Sequence, residues 1–294
     1  MNRMIIAALA AAALSASTAA MAAPDWDAVG AALGKAGAMQ PGGVYKVSLP
    51  RTDLAVTLDG VPLKAGFALG SWVAFEPMGE DAMVMGDLVL TQNEVAPVMT
   101  KLEGEGLEIT ALHNHLLRGQ PFVMYMHVSG HGDAVKLARA LHAALALSRT
   151  PLTAPPAPAT AALVDLDVPA IDQALRAKGK VNGGVLQYGI PRKEAITDAG
   201  MPVPPSMGTA TSINFQPVGR GRAAITGDFV LTAREVNPVI RALRAHAIEV
   251  TALHSHMIFE EPRILFMHFW AVGDAKALAQ GLAAALAETN VQAQ

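Results

Sequence analysis

One six-residue pattern occurs twice in this chain and constrains everything around it. It reads Thr110-Ala111-Leu112-His113-Asn114-His115, followed by Met126-His127. It returns as Thr251-Ala252-Leu253-His254-Ser255-His256, followed by Met267-His268. Each histidine of the first set recurs 141 positions later, and these six are most of the nine histidines present. Solenoid units run to roughly 50 residues at most, so this period is too long for one. It has the length of a domain. The chain is therefore read as a domain duplication, in which both copies must reach the same fold.

The flanking sequence agrees. Gly42-Gly43-Val44 matches Gly183-Gly184-Val185, and Pro50-Arg51 matches Pro191-Arg192. Gly86-Asp87 through Asp133-Ala134 aligns with Gly227-Asp228 through Asp274-Ala275 without a gap. Between the copies, Thr150 to Ala159 holds four prolines in ten residues. Proline lacks the N–H that a helix needs and stiffens a linker toward polyproline II. The expected organisation is a first repeat over residues 23–149, a Pro/Ala-rich linker over 150–164 and a second repeat over 165–294.

The first 22 residues read as a targeting segment. Asn2-Arg3 precedes an apolar run from Met4 to Leu14, and small residues lead to Ala20-Met21-Ala22, an A-x-A cleavage pattern. The run is too short to span a bilayer. Cysteine is absent, which removes disulfides, thiolate ligands, cysteine nucleophiles and a lipid-anchor cysteine. A periplasmic or secreted protein without a stable membrane span is the expectation.

Within each copy the pattern is strands, helix, two strands, helix. Asp25 is placed to cap the first helix. Thr91-x-x-Glu94 and Thr232-x-x-Glu235 are capping boxes, and Asp133 and Asp274 cap the closing helices. The expected class is α+β: two tandem homologous domains, each an antiparallel sheet with helices mainly on one face, as in a ferredoxin-like variant, related by a pseudo-two-fold axis. Hydrophobic residues make up 52% of the chain and charged ones 16%, enough apolar surface for sizeable cores.

Chemistry centres on the repeated histidines. His113 and His115 are two apart on an expected strand running from Glu108 to Leu117, so they would share one face. His127 falls on the next strand, and His254, His256 and His268 repeat the set. Three imidazoles converging from paired strands suit zinc or another borderline divalent metal. Their alternative role is structural, bonded to backbone carbonyls. Glu94 and Glu235 are explained by capping before ligation. Asp87, Asp228, Glu108 and Glu249 could orient imidazoles as carboxylate partners, or face solvent. Met124, Met126 and Met267 flank the third histidines; thioethers there would favour copper(I), although core filling explains them better. Trp72, Tyr125, Phe266 and Trp270 could line a pocket or simply pack.

Net charge is −3 with no long basic block, which fits nucleic-acid binding poorly. No phosphate-cradling loop, dinucleotide fingerprint, nucleophile elbow or H-E-x-x-H occurs.

Gly227 to Val239, Thr251 to His256 and Phe266 to Trp270 resemble motifs of the LppY/LpqO-like family of exported bacterial proteins. The likeness covers nearly all of the chain after residue 22, twice. It implies an exported protein carrying a domain of unknown function, here without the lipid-anchor cysteine. The functional expectation is binding of a divalent metal or small ligand through His113, His115, His127, His254, His256 and His268. The alternatives are a metal-dependent hydrolase or lyase of the cell envelope, and a metal-free module for envelope carbohydrate or peptide.

Overall fold

The computed structural model describes residues 23–153 and 164–292; the expected targeting segment and most of the expected linker lie outside these residues. The first copy runs α1 (Trp26–Leu33), β1 (Ala38–Met39), β2 (Tyr45–Pro50), β3 (Gly70–Met78), β4 (Asp81–Thr91), α2 (Gln92–Gly104), β5 (Glu108–His113), β6 (Val123–Asp133) and α3 (Ala134–Leu145). The second runs α4 (Val168–Leu175), β7 (Lys180–Asn182), β8 (Val185–Pro191), β9 (Ala210–Gly219), β10 (Arg222–Thr232), α5 (Val236–Ala245), β11 (Glu249–His254), β12 (Ile264–Asp274) and α6 (Ala275–Leu286).

Each copy forms a six-stranded antiparallel sheet, in the orders β1-β2-β3-β4-β6-β5 and β7-β8-β9-β10-β12-β11. The four strands at one end of the first sheet, β3-β4-β6-β5, have the ferredoxin-like order. α2 carries the chain from β4 to β5, and β6 inserts between them, which is the split βαβ arrangement. The departure is that β3 precedes β4 through a hairpin instead of following α3.

Most of the local signals act as the sequence implies; the exception is Thr232, because α5 starts only at Val236, although Glu235 still accepts from the Thr232 amide at 2.7 Å. Asp25 accepts from the Ala28 amide at 3.0 Å, Asp133 from Lys136 at 2.8 Å and Asp274 from Ala277 at 2.9 Å. The capping box of Thr91 and Glu94 is formed.

Both faces of each sheet are buried, so β4 is covered almost end to end. Val84, Leu88 and Leu90 pack with Val98, Leu102 and Leu141 of the helices. The intervening Met83 and Met85 meet Val230, Ile264 and Phe266 of the second copy, while Val89 joins Val185, Ala224 and Trp270. In the second copy Ile225, Phe229 and Leu231 face Val239, Leu243 and Leu282. The layers are therefore helix, sheet, sheet, helix. Burying one such side chain contributes about 1.5–3 kcal/mol, so the inner faces hold the copies together.

A duplicated ion cluster ties each helix start to its sheet. Arg51 is fully buried and donates to the Val89 carbonyl at 2.6 Å, to Glu94 at 2.9 and 3.2 Å and to Asp53 at 2.8 Å. Arg192 repeats this with Val230 at 2.7 Å, Glu235 at 2.7 Å and Glu194 at 2.9 Å. Glu94 also accepts from the amides of Thr91 and Arg149, both at 2.8 Å. Its oxygens are thus engaged in structural bonds, as capping had implied.

Candidate metal centre

The inner faces bring all six repeated histidines together. His113 stacks on His254 with ring centroids 3.6 Å apart, His115 on His268 at 3.8 Å and His127 on His256 at 3.7 Å. Each of these three pairs joins one copy to the other. Exchanging the copies turns the first pair into itself and swaps the other two, so a pseudo-two-fold axis passes between His113 and His254.

The strands position these rings differently from the sequence expectation. β5 ends at His113 and β11 at His254, so His115 and His256 lie in the following loops. Cross-copy bonds hold the first of those loops. The Asn114 side chain donates to the Thr251 carbonyl at 3.0 Å, and the Thr251 hydroxyl donates to the His115 carbonyl at 2.5 Å. Tyr125 stacks on His115 and its counterpart Phe266 on His256, both with centroids 3.4 Å apart. The Tyr125 hydroxyl is spent on the Ala68 carbonyl at 2.7 Å.

Asp87 and Asp228 complete the cluster. Each is the register partner of a third histidine, Asp87 of His127 and Asp228 of His268. Asp87 Oδ2 lies 3.5 Å from His115 Nε2, and Asp228 Oδ2 lies 3.3 Å from His256 Nε2. Asp87 is only 6% exposed. The solvent-facing reading of these two is therefore corrected: a second sheet covers the face they occupy. Their signal was a charged residue inside a largely apolar run, Met83 to Leu90, repeated at Ala224 to Leu231. Glu108 is exposed, and Glu249 pairs with Arg118 at 2.7 Å, so neither strand-opening glutamate joins the imidazoles. Met126 and Met267 point into the helix-side cores, because they alternate with the histidines that follow them.

Ring orientation is set by the backbone. His268 Nδ1 donates to the Gly227 carbonyl at 2.7 Å, and His127 bonds to the backbone of the matching Gly86. His113 Nδ1 lies 3.2 Å from the Asn114 carbonyl. An imidazole that gives Nδ1–H to a carbonyl presents a bare Nε2, the orientation found at metal ligands. The Nε2 atoms of all six histidines, and Oδ1 of Asp87 and Asp228, are buried without a hydrogen-bond partner. Buried polar atoms are nearly always satisfied, so this concentration is unusual for packing histidines alone.

Burial fixes the protonation states. It lowers His113 to about 4 and His268 to about 3. His115, His127, His254 and His256 are held well below the usual histidine range by burial and by each other's proximity. Burial pushes Asp87 up to about 8 against the pull of Lys46, and raises Asp228 well above the carboxylate range with help from Asp87. Neutral imidazoles are the ligating form. His113, His254, His256 and His268 have nitrogens all within 4.8 Å of one another, as do ligand atoms of Asp87, His113 and His115. These groups could hold a metal ion.

Comparison with known proteins follows the same duplication. The family described as Domain of Unknown Function (DUF1259) matches residues 27–147 and again 169–288. The chain belongs to this family. Its two DUF1259 copies each supply three histidines and one aspartate to the centre. No curated protein matches the chain. Among solved structures, the trimeric bacterial microcompartment shell protein PduB is similar at 11% identity, with a TM-score of 0.20, covering 86% of this chain and 89% of that one. EtuB from Clostridium kluyveri is similar at 10% identity, with a TM-score of 0.19, covering 85% and 88%. Superposition that loose carries no functional argument. No helix among the described residues is long and apolar enough to cross a membrane.

Proposed function

We propose that this protein binds a divalent transition metal, zinc foremost, at the junction of its two DUF1259 copies. The observation that carries this reading is the convergence of six neutral imidazoles whose buried Nε2 atoms lack partners. Nitrogen and carboxylate donors suit zinc. Met126 and Met267 turn into the cores, which weakens the case for copper(I). The N-terminal pattern and the resemblance to LppY/LpqO-like exported proteins support a role outside the cytoplasm, with the metal taken up in the periplasm or after secretion.

A hydrolytic role is the second reading. It draws on Asp87, a carboxylate held to about 8 beside the imidazoles, where it could take a proton from metal-bound water. Near-complete burial of His127 and His268, at 4% and 2% exposure, favours holding an ion over turning over a substrate.

The test is elemental analysis of the untagged protein purified without chelator, beside a His113→Ala/His254→Ala double variant. Metal in whole-number proportion, lost in the variant, supports the reading. A wild type that stays metal-free after incubation with zinc and copper overturns it.

A further inference from the structure

We infer that the centre takes two ions, one on each side of the pseudo-two-fold axis, with Asp87 and Asp228 as direct ligands. This rests on the metal-binding reading above and specifies it. The donor count carries the inference. Eight side chains present buried nitrogen or oxygen atoms without hydrogen-bond partners: the six histidines and the two aspartates. A tetrahedral zinc satisfies about four donors and an octahedral ion about six, so one ion leaves buried polar atoms stranded. Two four-coordinate ions use all eight.

The distances fit the same arrangement. Ligand atoms about 2.1 Å from a tetrahedral ion lie about 3.4 Å from each other. Asp87 Oδ2 and His115 Nε2 are 3.5 Å apart, and Asp228 Oδ2 and His256 Nε2 are 3.3 Å apart. These two spans are symmetry mates, so an ion that fits one has an equivalent place at the other. His127 Nε2 is 3.9 Å from Asp87 Oδ1 on the same side of the axis, and ligand atoms of Asp87, His113 and His115 lie within 4.8 Å of one another. His268, which approaches Asp228 at 3.9 Å through the nitrogen bonded to Gly227, turns its free Nε2 to the centre. The axial pair His113 and His254, belonging equally to both sides, supplies the remaining donors.

Charge also favours the pairing. Six neutral imidazoles cannot offset a doubly charged ion, whereas one carboxylate beside each ion reduces the charge to be buried.

The experiment is metal counting on the full-length exported chain, first stripped with chelator and then loaded with zinc, beside Asp87→Asn and Asp228→Asn. Asparagine keeps the shape of aspartate, and a far-UV spectrum with a thermal melt checks that each variant folds. The expected result is two zinc ions per chain in the wild type and one in each variant. Cobalt(II) titration of the wild type gives an independent count, with visible absorption rising linearly to two equivalents. Saturation at one ion per chain in the wild type, unchanged in both variants, overturns the two-ion assignment and leaves metal binding intact. No zinc or cobalt bound at all overturns the metal-binding reading itself.

Discussion

His113 and His254 stack 3.6 Å apart with their planes 23° from parallel, although 141 residues separate them in the chain. Two cations could not occupy that position at so short a distance. Stacking therefore requires at least one neutral ring, in agreement with the lowered pKa of both. The pair marks the axis about which the copies meet, and any ion in the centre answers to both copies at once.

Metal uptake at neutral pH is expected to release protons. Asp87, held to about 8, is largely protonated at pH 7 and must ionise to ligate. Calorimetric titration with zinc in buffers of different ionisation enthalpy should show heats that vary with the buffer. Asp87→Asn should reduce that variation.

Above neutrality, where histidines are neutral folded or unfolded, the metal-free protein should lose stability as pH rises. A carboxyl whose folded pKa is raised binds more protons folded than unfolded, so its contribution is present below the ordinary carboxylate range and is lost as pH rises through about 8 for Asp87. Urea melts of chelator-treated protein from pH 7.5 to pH 9, above the range in which the unfolded chain's histidines take up protons, test this. Asp87→Asn should flatten the slope, and saturating zinc should reverse it by binding the ionised form.

Glu94 and Glu235 act in the opposite direction at acid pH. Burial alone would raise them, but hydrogen bonds from Arg51 or Arg192 and from backbone amides win and hold both below the usual range. Their contribution is present above the ordinary glutamate range and is lost as pH falls through the depressed values. Glu94→Gln leaves the fully buried Arg51 short of a charge partner and should cost about 3 kcal/mol, read from denaturant midpoints at pH 7.

Gly227→Ala should be far more damaging than its place in a strand suggests. A Cβ there would sit 2.0 Å from the Ser212 carbonyl oxygen and 2.9 Å from the Phe269 ring. Overpacking against backbone costs about 1–3 kcal/mol or more, and here it also shifts the carbonyl that orients His268. Lower expression, a lower melting temperature and weaker zinc retention are expected together. Retained zinc affinity despite a lowered melting temperature would show that the Gly227 carbonyl does not set the ring.

Thr251→Val removes the bond from the Thr251 hydroxyl to the His115 carbonyl while keeping the shape of the side chain. The expected loss is about 1 kcal/mol of stability. Zinc should dissociate faster, because His115 lies in a loop past the end of β5. Stopped-flow transfer of zinc to a chromogenic chelator measures that rate.

Much of this was legible in the sequence because it is local or periodic. Asp25, Asp133 and Asp274 cap helices through contacts three residues away, which depend on neighbours alone. The 141-residue offset announced two equal folds and six equivalent histidines. What escaped depends on which surfaces meet. Asp87 and Asp228 could be read either as carboxylate partners of the imidazoles or as polar residues facing water, since a strand shows only that alternate residues point opposite ways. Met126 and His127 were adjacent in the sequence, and only the packing showed that one enters the helix-side core and the other the centre. Arg51 and Glu94, 43 positions apart, gave no pairwise signal at all.

The sequence by itself determined the duplication, the strand and helix order of each copy, and the identity of the histidines that recur. These follow from spacing, side-chain period and capping chemistry, which act along the chain. The tertiary structure decided that the two sheets meet face to face, that each histidine stacks on one from the other copy, and that two aspartates are buried among them. That outcome belongs to apolar surface on Met83, Met85, Val230 and Phe266. Removing that surface from water draws the sheets together whatever polar groups lie between, and those groups must then be satisfied where they are enclosed.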